Sequence, residues 1–152
     1  MFLINFFINF FILGPKKIAS HFEWCGPLVA RIIVGYVFML TGLAKLQNLD
    51  AMIENFAYWG IPFPQFTTPF VSCVECFGGL LIMLGFITRI CGGALSVVMI
   101  VAIISAKLSE IDSLETLLGF EESAYFAVFT WLAICGAGKA SIDYFLTRKL
   151  VK

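Results

Sequence analysis

"TPFVSCVECFGGLLIMLGFITRICGGALSVVMIVAIISAK" (residues 68–107) holds three charged side chains, Glu75, Arg89 and Lys107. Arg89 divides it into two apolar runs, Thr68–Ile87 and Ile90–Lys107, each near the roughly 20 residues a helix needs to cross a bilayer. The pair reads as a membrane hairpin with a tight turn at Arg89. Working outward, Leu28–Leu46 is a third such run, and Glu122–Gly138 is a shorter fourth that begins at an acidic edge. Composition agrees. Of 152 residues, 61% are hydrophobic and 13% charged, against roughly 25% charged in a soluble domain. The mean hydropathy is +0.97. A chain like this cannot cover itself with polar side chains, so an all-α integral membrane four-helix bundle over residues 28–139 is expected, with lipid as its solvent.

Charge sets the expected orientation. Lys16, Lys17, Arg31, Arg89, Lys139, Arg148, Lys149 and Lys152 fall on one side of four spans, and Lys45 and Lys107 on the other. Lys and Arg collect in cytoplasmic loops, so both termini and the Arg89 turn are expected in the cytoplasm. The acidic loop "SEIDSLETLLGFEE" (109–122) then faces outward. Ten acidic and ten basic residues balance overall, which argues against a nucleic acid partner, because a phosphate backbone selects a net basic face.

The flanks read as interfacial. "MFLINFFINFFILGPKK" (1–17) repeats Ile-Asn-Phe-Phe at a period of four, which keeps Asn5 and Asn9 on one helical face. Its apolar run reaches only about 18 Å, too short to span. It lacks the basic residue ahead of the run that a secretory signal shows. Two readings of this run are open, a helix lying in the interface and stopped at Gly14-Pro15 or an unstructured apolar leader, and residues 1–27 as a whole are expected to form an N-terminal interfacial segment. Residues 140–152 form an amphipathic basic tail, with Ile142, Phe145, Leu146 and Leu150 at helical spacing, suited to anionic lipid. In the loop "NLDAMIENFAYWGIPFPQF" (48–66), Phe56, Tyr58 and Trp59 are expected as a headgroup-level aromatic belt.

Small residues indicate how the helices meet. Gly35 and Gly42 lie two turns apart on the first span, Gly78, Gly79 and Gly85 thin the second, and Gly92 and Ser96 form a small-xxx-small pair on the third. In lipid such positions let backbones approach, and packing supplies the association energy.

Glu75 lies about 10 Å below the outer surface in this arrangement. A charge at such depth costs about 2.5–3.5 kcal/mol on insertion scales. Either Glu75 stays protonated or it is ionised against a cation, and Lys45 and Lys107 end their spans at the right level. A structural ion pair and a proton-accepting or ligand-holding carboxylate are both open. Arg31 and Arg89 are expected to snorkel at the inner interface. Cys73 and Cys76 flank Glu75, but residues three apart on a helix hold their Cβ atoms about 5–6 Å apart, whereas a disulfide needs about 3.8 Å. Small apolar packing and a Cys-x-x-Cys redox pair therefore both remain as readings, the second requiring a deformed helix. One histidine, His21, with a nearby Cys25 is too little for a metal site, and no phosphate-binding Gly-rich loop is present.

In sequence order, "ARIIVGYVFMLTGLAKLQN" resembles the opening helix of the DoxX family, with Arg31, Gly35, Gly42 and Lys45 on its pattern. "YWGIPFP" is similar to the family's Gly-hydrophobic-Pro loop. "VECFGGLLIMLGFITRICGGALSVVMIVAI" resembles its second and third helices, with Glu75 at the acidic position followed by Gly78, Gly79, Gly85, Thr88 and Arg89. "GAGKASIDYFL" resembles the closing stretch, landing on Gly136, Gly138, Lys139, Ser141 and Asp143. The resemblance implies a four-helix protein of the bacterial inner membrane, linked in some members to quinone-reducing redox complexes. Cys73 and Cys76 depart from the family's usual apolar or small residues there. Near the start of the last helix, where the family often has Glu-Tyr-Ala, this chain has "EESAYFAVF", with Glu122 or Ala124 at that place.

The expectation is a membrane subunit, catalytic or accessory, of a quinone-linked redox system. Glu75 and Lys45 are its candidate catalytic residues, Lys107 a second ion-pair cation, and Cys73 and Cys76 a candidate redox pair. Quinone is the candidate ligand, with no intrinsic cofactor or metal. A membrane or periplasmic redox protein and a second copy of the chain are candidate partners. The alternatives are a non-enzymatic scaffold and thiol–disulfide exchange.

Overall fold

A computed structural model describes residue 11 and residues 13–150. Among these the regular structure is all helix, with no strand. A short helix α1 (Gly14–Ala19) leads to α2 (Cys25–Gln47), α3 (Leu49–Tyr58), α4 (Pro64–Leu84) and α5 (Thr88–Ala102). From α5 the chain continues through a wide turn at Ile103–Lys107 and a tight one at Leu108–Glu110. Then follow α6 (Leu114–Gly119), α7 (Glu121–Cys135) and α8 (Ile142–Leu150). Three stretches are long and apolar enough to cross a membrane: Cys25–Gln47, Pro64–Leu84 and Thr88–Glu110. The fourth bundle helix, α7, has 15 residues, or about 22 Å. It ends at Cys135 rather than Gly138 because Gly136 leaves the helix at φ +82°.

Two helix pairs build the bundle. α2 packs most extensively on α4, α5 on α7, and the α4–α5 contact joins the pairs. Glycines decide how close the first pair comes. A Cβ on Gly35 would lie 2.6 Å from Gly79 O, and one on Gly79 would lie 2.7 Å from Gly35 O. A Cβ on Gly42 would strike the backbone of Cys76 and lie 2.8 Å from Ser72 O. No side chain fits there, so the two backbones touch. The second pair is looser: a Cβ on Gly92 would meet Phe129 O at 3.0 Å. Its neighbour Ser96 donates to Gly92 O at 2.9 Å and lies 3.3 Å from Thr130 Oγ1. Between the pairs, Phe38, Ile82, Leu95, Met99, Phe129 and Leu132 form the core, with the Phe38 ring edge-on to Phe129 at 4.7 Å.

Several expectations change on contact with the structure. Where a stop at Gly14-Pro15 was expected, the chain is helical over Gly14–Ala19; the expected interfacial helix over residues 2–13 falls mostly outside the described residues. The loop after α2 is largely helical, because "LDAMIENFAY" places Ile53, Phe56 and Ala57 at helical spacing. Phe56 is therefore buried against the bundle and stacks near Trp59 at 5.7 Å, while Tyr58 alone of the three aromatics is widely exposed. Arg31 does not snorkel. It is 1% exposed, its Nη2 donating to Ala140 O at 2.5 Å and its Nε to Pro27 O at 3.3 Å. The space it fills exists because Gly85, left-handed at φ +70°, has no Cβ; one there would collide with the guanidinium.

Candidate functional site

Lys45 Nζ lies 2.7 Å from Glu75 Oε1 and 2.6 Å from Oε2. Helix geometry explains why they meet. Each Cα–Cβ bond tilts toward its helix N-terminus, and α2 and α4 run antiparallel. Lys45, in the last turn of α2, therefore leans into the bundle, while Glu75, midway along α4, leans out toward it. Gly42, one turn before Lys45, brings the helices close enough for the four-carbon stem to reach. The Glu75 side chain is 3% exposed and that of Lys45 28%, so the carboxylate is buried and its cation opens toward the surface. Oε1 accepts the formed hydrogen bond; Oε2 is in charge contact with the same Nζ and has no hydrogen-bond partner among the described residues.

Above Glu75, Thr68 and Ser72 continue the same face at spacings of four and three residues, and both are fully buried. Ser72 Oγ donates to Thr68 O at 2.8 Å, and Thr68 Oγ1 has no partner among the described residues. A polar stripe thus runs from the N-terminal end of α4 to the carboxylate. Thr68 and Ser72 escaped the reading of the sequence, although their i, i+4, i+7 spacing with Glu75 in an apolar helix was the available signal.

None of the other candidates bonds to this pair among the described residues. Lys107 sits over the Phe120 ring, 5.0 Å from its centroid, and makes no ion pair with a described residue. Cys73 and Cys76 are half-buried free thiols on unbroken helix, and the backbone of Cys76 is held against Gly42. Glu122, in the first turn of α7, buries Oε2 without a hydrogen-bond partner among the described residues. Among the described residues no three His, Cys, Asp or Glu side chains converge as metal ligands.

A second polar cluster occupies the opposite end of the bundle. Asp143, in the first turn of α8, accepts from Ile87 N at 2.7 Å and Thr88 N at 3.0 Å, and its own N–H donates to Gly85 O at 2.9 Å. It caps α5 from a distant part of the chain, where a carboxylate also meets the positive end of the helix dipole. These bonds hold Ile87 at φ +45°, a conformation a β-branched residue adopts only under constraint. Arg89 completes the turn, donating through Nη1 to Ile134 O at 2.6 Å.

The stretch that builds the pair and its supporting helices, residues 26–108, matches the DoxX family model. The chain belongs to the DoxX family. Its relatives include the Bacillus subtilis (strain 168) protein named "Putative oxidoreductase CatD", 32% identical over 125 residues, which are 81% of this chain and 88% of that one. "Inner membrane protein YqjF" of Escherichia coli (strain K12) is 28% identical over 127 residues, 84% of this chain and 96% of its own length. "Inner membrane protein YphA" of the same organism is 34% identical over 62 residues, 41% of this chain and 44% of its own. No solved structure matches significantly. Lys45, Glu75, Thr68 and Ser72 all lie inside the DoxX match, whereas α7 and the Asp143 cap lie beyond it.

Proposed function

We propose that this DoxX-family chain is a small subunit of a quinone-linked redox system in the bacterial inner membrane, with both termini cytoplasmic. Its proton-handling site is the Lys45–Glu75 pair near the outer face. The observation that carries this reading is the buried carboxylate whose one cation opens toward the surface. Reducing a quinone to a quinol takes up two electrons and two protons. The electrons come from a redox cofactor on a partner protein; the protons need a group that can give one up beside the quinone oxygens. In this reading Lys45 donates a hydrogen bond to a quinone carbonyl, Glu75 passes protons to the reduced oxygens, and Thr68 and Ser72 offer hydroxyls along the way to the outer end. The oxidoreductase name of the Bacillus relative is consistent with this class of chemistry.

Purification from mild detergent, with extraction and identification of bound quinone and of any accompanying subunit, tests the assignment. Wild-type protein is expected to carry quinone, and Glu75→Gln to fold but lose it. Quinone retained equally by both proteins removes the proposal.

A second reading has its own support in the backbone contact at Gly42, one turn from Lys45. Here the pair fastens α2 to α4 in a scaffold that docks a partner, and Glu75→Gln lowers thermal stability or partner recovery while leaving quinone content unchanged. Thiol exchange through Cys73 and Cys76 has less behind it, since Gly42 clamps the helix that would have to deform. Alkylation with and without prior reduction, read by mass spectrometry, separates permanently free thiols from a redox pair.

A further inference from the structure

At the end of the bundle away from the ion pair, an open cleft of about 340 Å³ lies between Arg89, the loop from Cys135 to Ser141, and α8. Its charge is positive. Arg89 and Lys139 line it, and Arg31 is packed directly beneath the loop, bonded to Ala140 O. Asp143, the acid in the lining, already spends its oxygens on Ile87 N and Thr88 N.

Arg89 is aimed and partly unspent. Nη1 is committed to the carbonyls of Ala133 and Ile134, which fixes the guanidinium plane. Nε and Nη2 bond no described residue, and they lie 3.3 and 3.4 Å from where a Cβ on Gly136 would stand. Arg89 lines the cleft, and two parallel N–H groups on one guanidinium edge suit a phosphate. Lys139 is exposed and 4.0 Å from Glu23 Oε2, a surface pairing too weak to hold it from another anion. Along the loop, Gly136 and Gly138 take φ +82° and +77°, and the backbone N–H groups of Ala137 to Ser141 donate to no described residue. Successive free N–H groups in such a turn form an anion-binding concavity.

The surroundings say what presents the phosphate. Ile90 and Ile134, beside the cleft, are 71% and 68% exposed on the apolar flank of the bundle. α8, which forms one wall, exposes Phe145 and Leu150 as well as Arg148 and Lys149, the make-up of a helix lying at a lipid–water boundary. We propose that this cleft seats the phosphate of an anionic phospholipid, with its acyl chains along Ile90 and Ile134. Soluble phosphate shares the headgroup chemistry but has no use for that apolar flank.

Native mass spectrometry of delipidated protein tests this with phosphatidylglycerol, phosphatidylcholine and inorganic phosphate as separate probes. Wild-type protein should retain phosphatidylglycerol in preference to phosphatidylcholine. Lys139→Gln should weaken that retention about fivefold, and Arg89→Gln with Lys139→Gln about tenfold or more. Because Arg89 also holds the end of α7, thermal unfolding is followed in parallel, and the single Lys139 variant stands if the double variant does not fold. Equal retention of both lipids, or a preference that survives Lys139→Gln, overturns the proposal. So does a preference that follows Arg148→Gln with Lys149→Gln instead, since the tail would then be the site. Inorganic phosphate that binds without any lipid preference assigns the cleft to a soluble anion and overturns the lipid assignment.

Discussion

The two ends of the bundle bury charge in different ways. At the Lys45–Glu75 end, outer in the proposed topology, the two side chains bond to each other. At the opposite end, inner in that topology, Arg31 and Asp143 bond to main-chain groups: Ala140 O and Pro27 O on one side, Ile87 N and Thr88 N on the other. A charge that ends on backbone groups fixes the path of the chain, and it has no exchangeable partner to offer. A charge held by another ionisable side chain can release it, lose a proton or take a ligand. In the proposed reading, shape belongs to the inner end and chemistry to the outer one.

The largest effect is expected where the outer end depends on backbone contact. Gly42→Val forces side-chain atoms into the Cys76 backbone and should cost about 3 kcal/mol or more, seen as loss of monodisperse protein in detergent. Gly93→Ala, with nothing within 4 Å, should be neutral or stabilising by up to about 1 kcal/mol. Next comes the inner end. Asp143→Ala removes two charge-assisted hydrogen bonds and should cost about 3 kcal/mol in thermal or denaturant unfolding. Substituting Arg31 as well brings no recovery, because the partners left behind are main-chain groups.

The outer pair should behave in the opposite way. Lys45→Met strands a buried carboxylate and should cost about 2 kcal/mol, below the full value for a buried pair because Lys45 is partly exposed. Lys45→Met with Glu75→Leu should recover most of that loss while quinone retention stays absent. No recovery would make the outer pair as structural as the inner cluster. The smallest effect belongs to the loop outside the membrane. The Thr116 hydroxyl holds the Asp112 carboxyl below its usual range. Its contribution is therefore complete above the ordinary carboxylate pKa and fades as pH falls through the lowered value. Asp112→Asn should matter slightly in melts at neutral pH and not at all in strong acid.

Three spans were legible because apolar length is a one-dimensional property, and depth narrowed the possible cations for Glu75 to Lys45 and Lys107. The glycine contacts followed from spacing, too. What stayed hidden depends on the third dimension. Nothing local to Arg31 shows that the absent Cβ of Gly85, 54 positions on, leaves it a buried berth. Asp143 reads as a polar residue in a tail until folding carries it to the α5 terminus. Lys107 matched Lys45 in depth, but depth carries no azimuth around the bundle, and the wide turn at Ile103–Lys107 presents it to Phe120.

Infrared difference spectroscopy of the purified protein on adding quinone tests the central claim most directly. If Glu75 handles the proton, a carboxylic-acid band should change in wild-type protein and be missing from Glu75→Gln. Identical difference spectra from the two proteins would contradict the account.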